Sequence, residues 1–139
     1  RTFTINEIGL PVTAVPLLAT PAIKFMIYEA SQNNSPCVLL HESLPLVMTA
    51  AGYASSALDF TFSKSKRYWI GCRFSGGLTV RSLPVAGLPS LGYATNSATA
   101  AATILRRTLA FATSAPTTFA IASADFVSSA MPDIRLRIA

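Results

Sequence analysis

The sequence predicts an all-β protein, an antiparallel β-sandwich of jelly-roll type with about eight to ten strands. Short runs of alternating apolar and polar residues recur along the chain, whereas helical periodicity is weak. Pro, Gly, Asn and Ser separate these runs, which is typical of turns between strands. An immunoglobulin-like sandwich is the alternative, although the single Trp lacks flanking cysteines at the spacing of that fold.

The beginning of the chain, residues 1–21, predicts an extended N-terminal strand or arm that contains prolines. Residues 2–8 alternate in polarity, and prolines then recur every five residues. Because proline has no N–H to donate to a ladder, we expect this segment at a sheet edge or lying on another surface. Residues 22–139 are predicted to form the β-sandwich domain.

The strands of this domain are predicted from alternation between turn signals. In AIKFMIYEA, residues 22–30, alternate positions separate an apolar face from one that carries Lys24 and Tyr28. The turn SQNNSP follows. Further strands are predicted, in chain order, at CVLLHES, SALDFTFS, YWIGCRFS, LTVRSL, ILRRTLAFAT, PTTFAIAS and DIRLRIA.

The stretch YWIGCRFSGGLTVRSLP, residues 68–84, predicts a central hairpin. The pair Gly76-Gly77 suits a tight turn, so LTVRSL is expected to return beside YWIGCRFS. Alternation directs one set of side chains toward the core and the other set away from it. The predicted core set is Tyr68, Ile70, Cys72 and Phe74.

Trp69, Arg73 and Arg81 are candidate ligand-binding residues. Trp69 and Arg73 are two residues apart and share a strand face, where the guanidinium group can stack on the indole. Arg81 is expected across the hairpin. An aromatic residue in such a position can stack on a sugar ring or anchor an interface. The alternative is that Trp69 fills a sheet face inside the sandwich or beneath a neighbouring subunit.

Composition bears on the partners of the chain. Apolar residues make up 51% and charged residues only 12%, so part of the surface is expected to be covered in a homo-oligomer. The net charge of +5 comes from basic residues spread singly or in pairs, which does not indicate nucleic-acid binding. Prolines interrupt the longest uncharged runs, so we expect no membrane insertion.

No motif in the sequence indicates catalysis, a metal site or a cofactor. His41 and Glu42 are neighbours in a predicted strand and would point to opposite faces. No GxSxG motif is present, and the acidic residues are scattered. Cys37 and Cys72 lack metal-ligand spacing; they form a disulfide or remain two free thiols. We therefore expect a non-enzymatic protein.

The order of these features resembles the head, or tip, domains of bacteriophage tail fibres and related virion appendages. The motifs are IKFMIYEASQNNSPCVLLHES, LDFTFSKSKRYWIGCRFSGGLTVRSLP, SLGYA and the terminal PDIRLRIA. The resemblance spans residues 22–95 and, more loosely, the last strand. This chain departs from the pattern at Ser35-Pro36-Cys37, where Gly-Pro-Gly is usual, and in SKSKRYW, which lacks the glycine before YW.

This resemblance implies a jelly-roll head domain in the virion, usually a homotrimer, that attaches to glycans or proteins on the host surface. It would bind other virion proteins and perform no enzymatic chemistry. Two alternatives remain open. One is a purely structural virion module, such as a capsid decoration or a fibre connector. The other is a bacterial carbohydrate-binding module attached to an enzyme.

Overall fold

The computed structural model describes residues 2–17, 20–32, 35–84, 104–105, 110–118, 126–127 and 131–139. In these ranges the chain forms twelve strands and no helix, and every strand pairing is antiparallel. It follows that no helix among the described residues could cross a membrane. The strands are β1 (Phe3–Ala14), β2 (Ala22–Ala30), β3 (Pro36–Glu42), β4 (Leu46–Val47), β5 (Gly52–Phe62), β6 (Tyr68–Ser75), β7 (Thr79–Val80), β8 (Ser82–Leu83), β9 (Ile104–Leu105), β10 (Phe126–Val127), β11 (Met131–Pro132) and β12 (Arg135–Ile138).

Two four-stranded sheets form the body of the protein. In sheet A, β1 is central: β5 pairs along one edge, and β12 and then β7 pair along the other. In sheet B, β2 is central: β6 pairs along one edge, and β3 and then β4 pair along the other. The short strands pair as β8 with β11 and β9 with β10.

Apolar side chains of both sheets meet in one core. Ile8 and Leu10 of β1 pack with Ile23 and Phe25 of β2, and all four are fully buried. Each such side chain contributes roughly 1.5–3 kcal/mol relative to leaving it in water. Because the core lies between two antiparallel sheets, the predicted all-β sandwich is confirmed. The jelly-roll topology stays a prediction.

Strand β1 lies in the middle of sheet A, whereas the sequence predicted that this segment would be an arm or an edge strand. The register shifts between Ile5 and Glu7 against both neighbours, which marks a β-bulge. Ile5 faces the core before the bulge, and Ile8 and Leu10 face it after the bulge. Pro11 is tolerated inside the sheet because only its carbonyl is used there, accepting the Arg81 N–H at 2.9 Å.

The glycine pair Gly76-Gly77 connects the two sheets, so the predicted hairpin is wrong. Strand β6 pairs with β2 in sheet B, whereas β7 pairs with β1 in sheet A. Gly76 has a φ of 88°, a conformation that glycine adopts without steric cost. A local turn signal is the same for a hairpin and for a crossover, and the pairing of β7 with β1 decides between them.

Two other predicted strands are only partly described. Of residues 104–113, the first two form β9, residues 106–109 lie outside the described ranges, and 111–113 form a turn and bend. In the predicted strand 116–123, Thr118 forms an isolated bridge to Val38. The SLGYA motif also lies outside the described residues.

Candidate functional site

The three candidate ligand residues do not form one cluster. Trp69 and Arg73 lie on the outer face of sheet B, as predicted, opposite Tyr28 and Lys24 of β2. Arg81 lies beside sheet A, where its side chain is 66% exposed and its Nε is 3.9 Å from Asp133 Oδ2. Because β6 and β7 belong to different sheets, Arg81 is not placed across a hairpin from Arg73.

The side chains of β6 that face the core are the predicted ones. Ile70, Cys72 and Phe74 pack against the core between the sheets, and Tyr68 packs against the end of that core. Burial raises the pKa of the Cys72 thiol to about 12, so this thiol stays protonated at neutral pH. Both Cys72 and Cys37 are free thiols, which decides between the two alternatives for the cysteines.

A segment of the same chain, residues 110–118, covers the outer face of sheet B. It is held to β3 by a hydrogen bond from the Leu39 N–H to the Thr117 carbonyl at 2.9 Å. The Tyr28 hydroxyl donates to the carbonyl of Pro116 at 3.0 Å. Ala115 is buried in a small apolar cluster on this face, whose other members are Met26, Tyr28, Leu39 and Trp69. Trp69 therefore packs beneath its own chain.

Under this segment lies a cluster of three charged side chains. The Glu42 carboxylate is 3.2 Å from Arg73 Nη1 and 3.4 Å from Lys24 Nζ, and it accepts the Ala115 N–H at 2.9 Å. Arg73 is only 8% exposed, and it also donates to the carbonyls of Thr113 (3.1 Å) and Ala110. The Arg73 guanidinium thus donates these hydrogen bonds to groups of the same chain. A ligand could reach it only if segment 110–118 moved away.

The described residues also bear on catalysis and metals. His41 pairs with Ile27 and Glu42 with Met26, so their side chains lie on opposite faces of sheet B. Burial lowers the pKa of His41. Within the described ranges, no three His, Cys, Asp or Glu side chains lie close enough together to hold a metal ion.

A second group of polar residues lies on the outer face of sheet A, and sequence reasoning did not single it out. Tyr53 is 48% exposed, and its pKa is raised by partial burial and then by the Glu7 carboxylate, with Asp133 adding to this and Arg135 opposing it. Arg135 donates to Asp133 Oδ2 from Nε at 3.2 Å and from Nη2 at 2.8 Å. We call Glu7, Tyr53, Asp133 and Arg135 the sheet A site.

The bare backbone of Gly9 allows Tyr53 to lie against sheet A. A Cβ atom at Gly9 would be 2.8 Å from the Tyr53 ring and 2.6 Å from the Ala54 carbonyl oxygen. Arg135 pairs with Gly9 from the other neighbouring strand, so β12 and β5 bring the ion pair and the ring together across β1. In the sequence, the only signal for this site is the outward position of Arg135 in DIRLRIA.

Comparison of the chain with protein families, with characterised proteins and with solved structures finds no match. The resemblance to tail-fibre heads therefore stays a prediction.

Proposed function

We propose that the chain is a non-enzymatic head domain of a virion appendage, and that it attaches the virion to a glycan or protein of the host surface through the sheet A site. The observation that carries this proposal is the half-exposed Tyr53 ring beside the Asp133–Arg135 ion pair. The resemblance of the sequence to tail-fibre heads supports the virion context.

The chemistry of the sheet A site suits a sugar. One face of an aromatic ring offers apolar contact to the C–H groups of a pyranose, while its hydroxyl offers a hydrogen bond. The Asp133 carboxylate accepts hydrogen bonds from sugar hydroxyls, and the Arg135 guanidinium donates to hydroxyls or to a carboxylate. Because the two groups hold each other in place, little side-chain freedom is lost on binding.

The test is binding of the purified chain to a glycan array and to intact bacteria, together with its ability to block phage adsorption. Replacing Tyr53 with Ala is expected to weaken binding by about tenfold or more, as loss of an aromatic anchor does. Arg135→Ala should weaken it as well. Arg67→Ala is the matched control, because Arg67 is also exposed but lies in the turn after β5, at the opposite end of that strand from Tyr53.

Equal binding by wild type and Tyr53→Ala would refute the sheet A site. A chain that binds neither glycans nor cells would refute the attachment role. Glycan binding without any effect on phage adsorption would favour the bacterial carbohydrate-binding module, as would a catalytic domain fused to the chain in the full-length gene.

A purely structural virion module is the second candidate, and the edge of sheet B favours it. Leu40, Leu44 and Val47 expose apolar side chains along β3, β4 and the residues between them; Leu44 is 85% exposed. Such side chains suit an interface with another subunit, including the proposed homotrimer. Sedimentation of wild type and of Leu44→Asp would test this: a trimer that dissociates in the variant supports a subunit contact at this edge.

A further inference from the structure

A cleft of about 410 Å³ lies between the sheets at the end where β5 leads into β6. Three aromatic rings form its wall. The Phe3 and Phe62 rings are stacked with centroids 4.9 Å apart, and the Tyr68 ring meets Phe62 edge-on, also at 4.9 Å. Because these rings hold each other in place, the apolar wall exists before any ligand enters.

The rim of the cleft carries positive charge. The turn after β5 supplies Lys64 and Lys66 to the rim, and Arg67 follows in the same turn. Lys66 is paired with Glu29 at 2.8 Å, whereas no acidic group of the described residues lies within ion-pair distance of the exposed Lys64. The Lys66–Glu29 pair cancels one positive charge, so Lys64 leaves the rim with net positive charge.

A hydroxyl group also lies at this rim. The Tyr68 hydroxyl oxygen accepts the Ser63 N–H at 3.0 Å, which holds the phenol at the mouth of the cleft and leaves its own proton to donate. Side chains of Ile70 and Leu136 complete the apolar lining from β6 and β12. The cleft thus joins an apolar interior to a mouth with an ammonium group and a hydroxyl donor.

We propose that this cleft binds a small amphipathic carboxylate, with its apolar body against the aromatic wall and its carboxylate at Lys64 and the Tyr68 hydroxyl. A cleft of about 410 Å³ falls within the roughly 300–1,000 Å³ of ligand pockets. The rim charge complements an anion, and the aromatic wall matches an apolar chain or ring. This site is separate from the sheet A site and does not depend on attachment to a host.

The test is titration of the full chain, carrying ¹³C-labelled methyl groups, with decanoate below its micelle concentration. The methyl signals of Ile70 and Leu136 should shift and saturate, while those of Val47, on the far edge of sheet B, should not. Lys64→Gln is expected to weaken decanoate binding by about two- to fivefold, the range of one solvent-exposed charge pair. Arg67→Gln is the matched control, since Arg67 is exposed in the same turn but does not line the cleft.

Decanol, which has the same chain length without the charge, should bind more weakly than decanoate. Equal binding of decanol and decanoate, or equal effects of Lys64→Gln and Arg67→Gln, would overturn the assignment of an anion site. Absence of saturating shifts at Ile70 and Leu136 would overturn the cleft as a ligand site altogether. Tyr53→Ala should still bind decanoate, so failure of this proposal is distinguishable from failure of the sheet A site.

Discussion

Sheets A and B share the same strand arrangement, and their outer faces differ. Each sheet has a central strand with one neighbour along most of one edge and two neighbours in series along the other. The outer face of sheet A leaves Tyr53 and Arg135 in contact with solvent. The outer face of sheet B buries Arg73 and Glu42 beneath segment 110–118. Similar strand pairing therefore leaves one outer face in contact with solvent and the other covered by a segment of the same chain.

The ion pairs on the two faces are expected to differ in their contribution to the free energy of unfolding. On sheet B, water is largely excluded, so removing one charge of the cluster leaves its partners desolvated without a counter-charge, which costs several kcal/mol. On sheet A, water and salt screen the Asp133–Arg135 pair, and its contribution to stability is small. Variants on the two faces should therefore differ in stability.

Replacing Glu42 with Ala should lower the free energy of unfolding by about 3–5 kcal/mol, because it leaves Lys24 and Arg73 as buried cations without a counter-charge. Urea unfolding followed by Trp69 fluorescence measures this. The control is Glu7→Ala on sheet A, opposite Arg137, with an expected loss of about 0–1 kcal/mol. Equal losses in the two variants would mean that segment 110–118 does not cover the ionic cluster in solution.

Gly9 on sheet A and Gly71 on sheet B offer a second contrast. Gly9→Ala should cost about 1–3 kcal/mol, because its Cβ would clash with the backbone oxygen of Ala54 and force β5 to shift. Gly71→Ala on sheet B should cost less, since its Cβ would be 3.7 Å from Met26 Cε, an ordinary contact. Thermal unfolding of both variants checks this. A Gly9→Ala variant as stable as Gly71→Ala would contradict the close packing of Tyr53 on β1.

The pH dependence of the Asp133–Arg135 pair should be the smallest effect. The hydrogen bond from Arg135 holds the pKa of Asp133 below its usual value in the folded chain. Its stabilising contribution is therefore complete above the ordinary carboxyl pKa of about 3.9 and is lost as the pH falls through the lower folded value. Unfolding free energies of wild type and Asp133→Asn should converge as the pH is lowered through this window. A difference that stays constant down to pH 2 would contradict the pairing.

The sequence predicted correctly on which face of β6 two of the candidate residues lie. Alternation placed Trp69 and Arg73 on the face of β6 away from the core, because successive side chains of a strand point to opposite sides. It did not predict what covers that face. The covering residues lie some 40 positions further along the chain, in a stretch that forms a turn and bend rather than the predicted strand. For the same reason, Tyr53 and Arg135 gave no joint signal in the sequence: β5 and β12 meet only through β1.

By itself, the sequence determined that the chain is a β-protein and which side chains of β2 and β6 face the core, because a period of two is a property of each strand's own backbone. The tertiary structure decided which strands pair. Long-range pairing placed β7 beside β1 in sheet A, put β1 in the middle of that sheet and moved Arg81 away from Arg73. It also brought the Thr113 and Ala115 backbone to the Arg73–Glu42 pair, a contact between distant segments that no local pattern encodes.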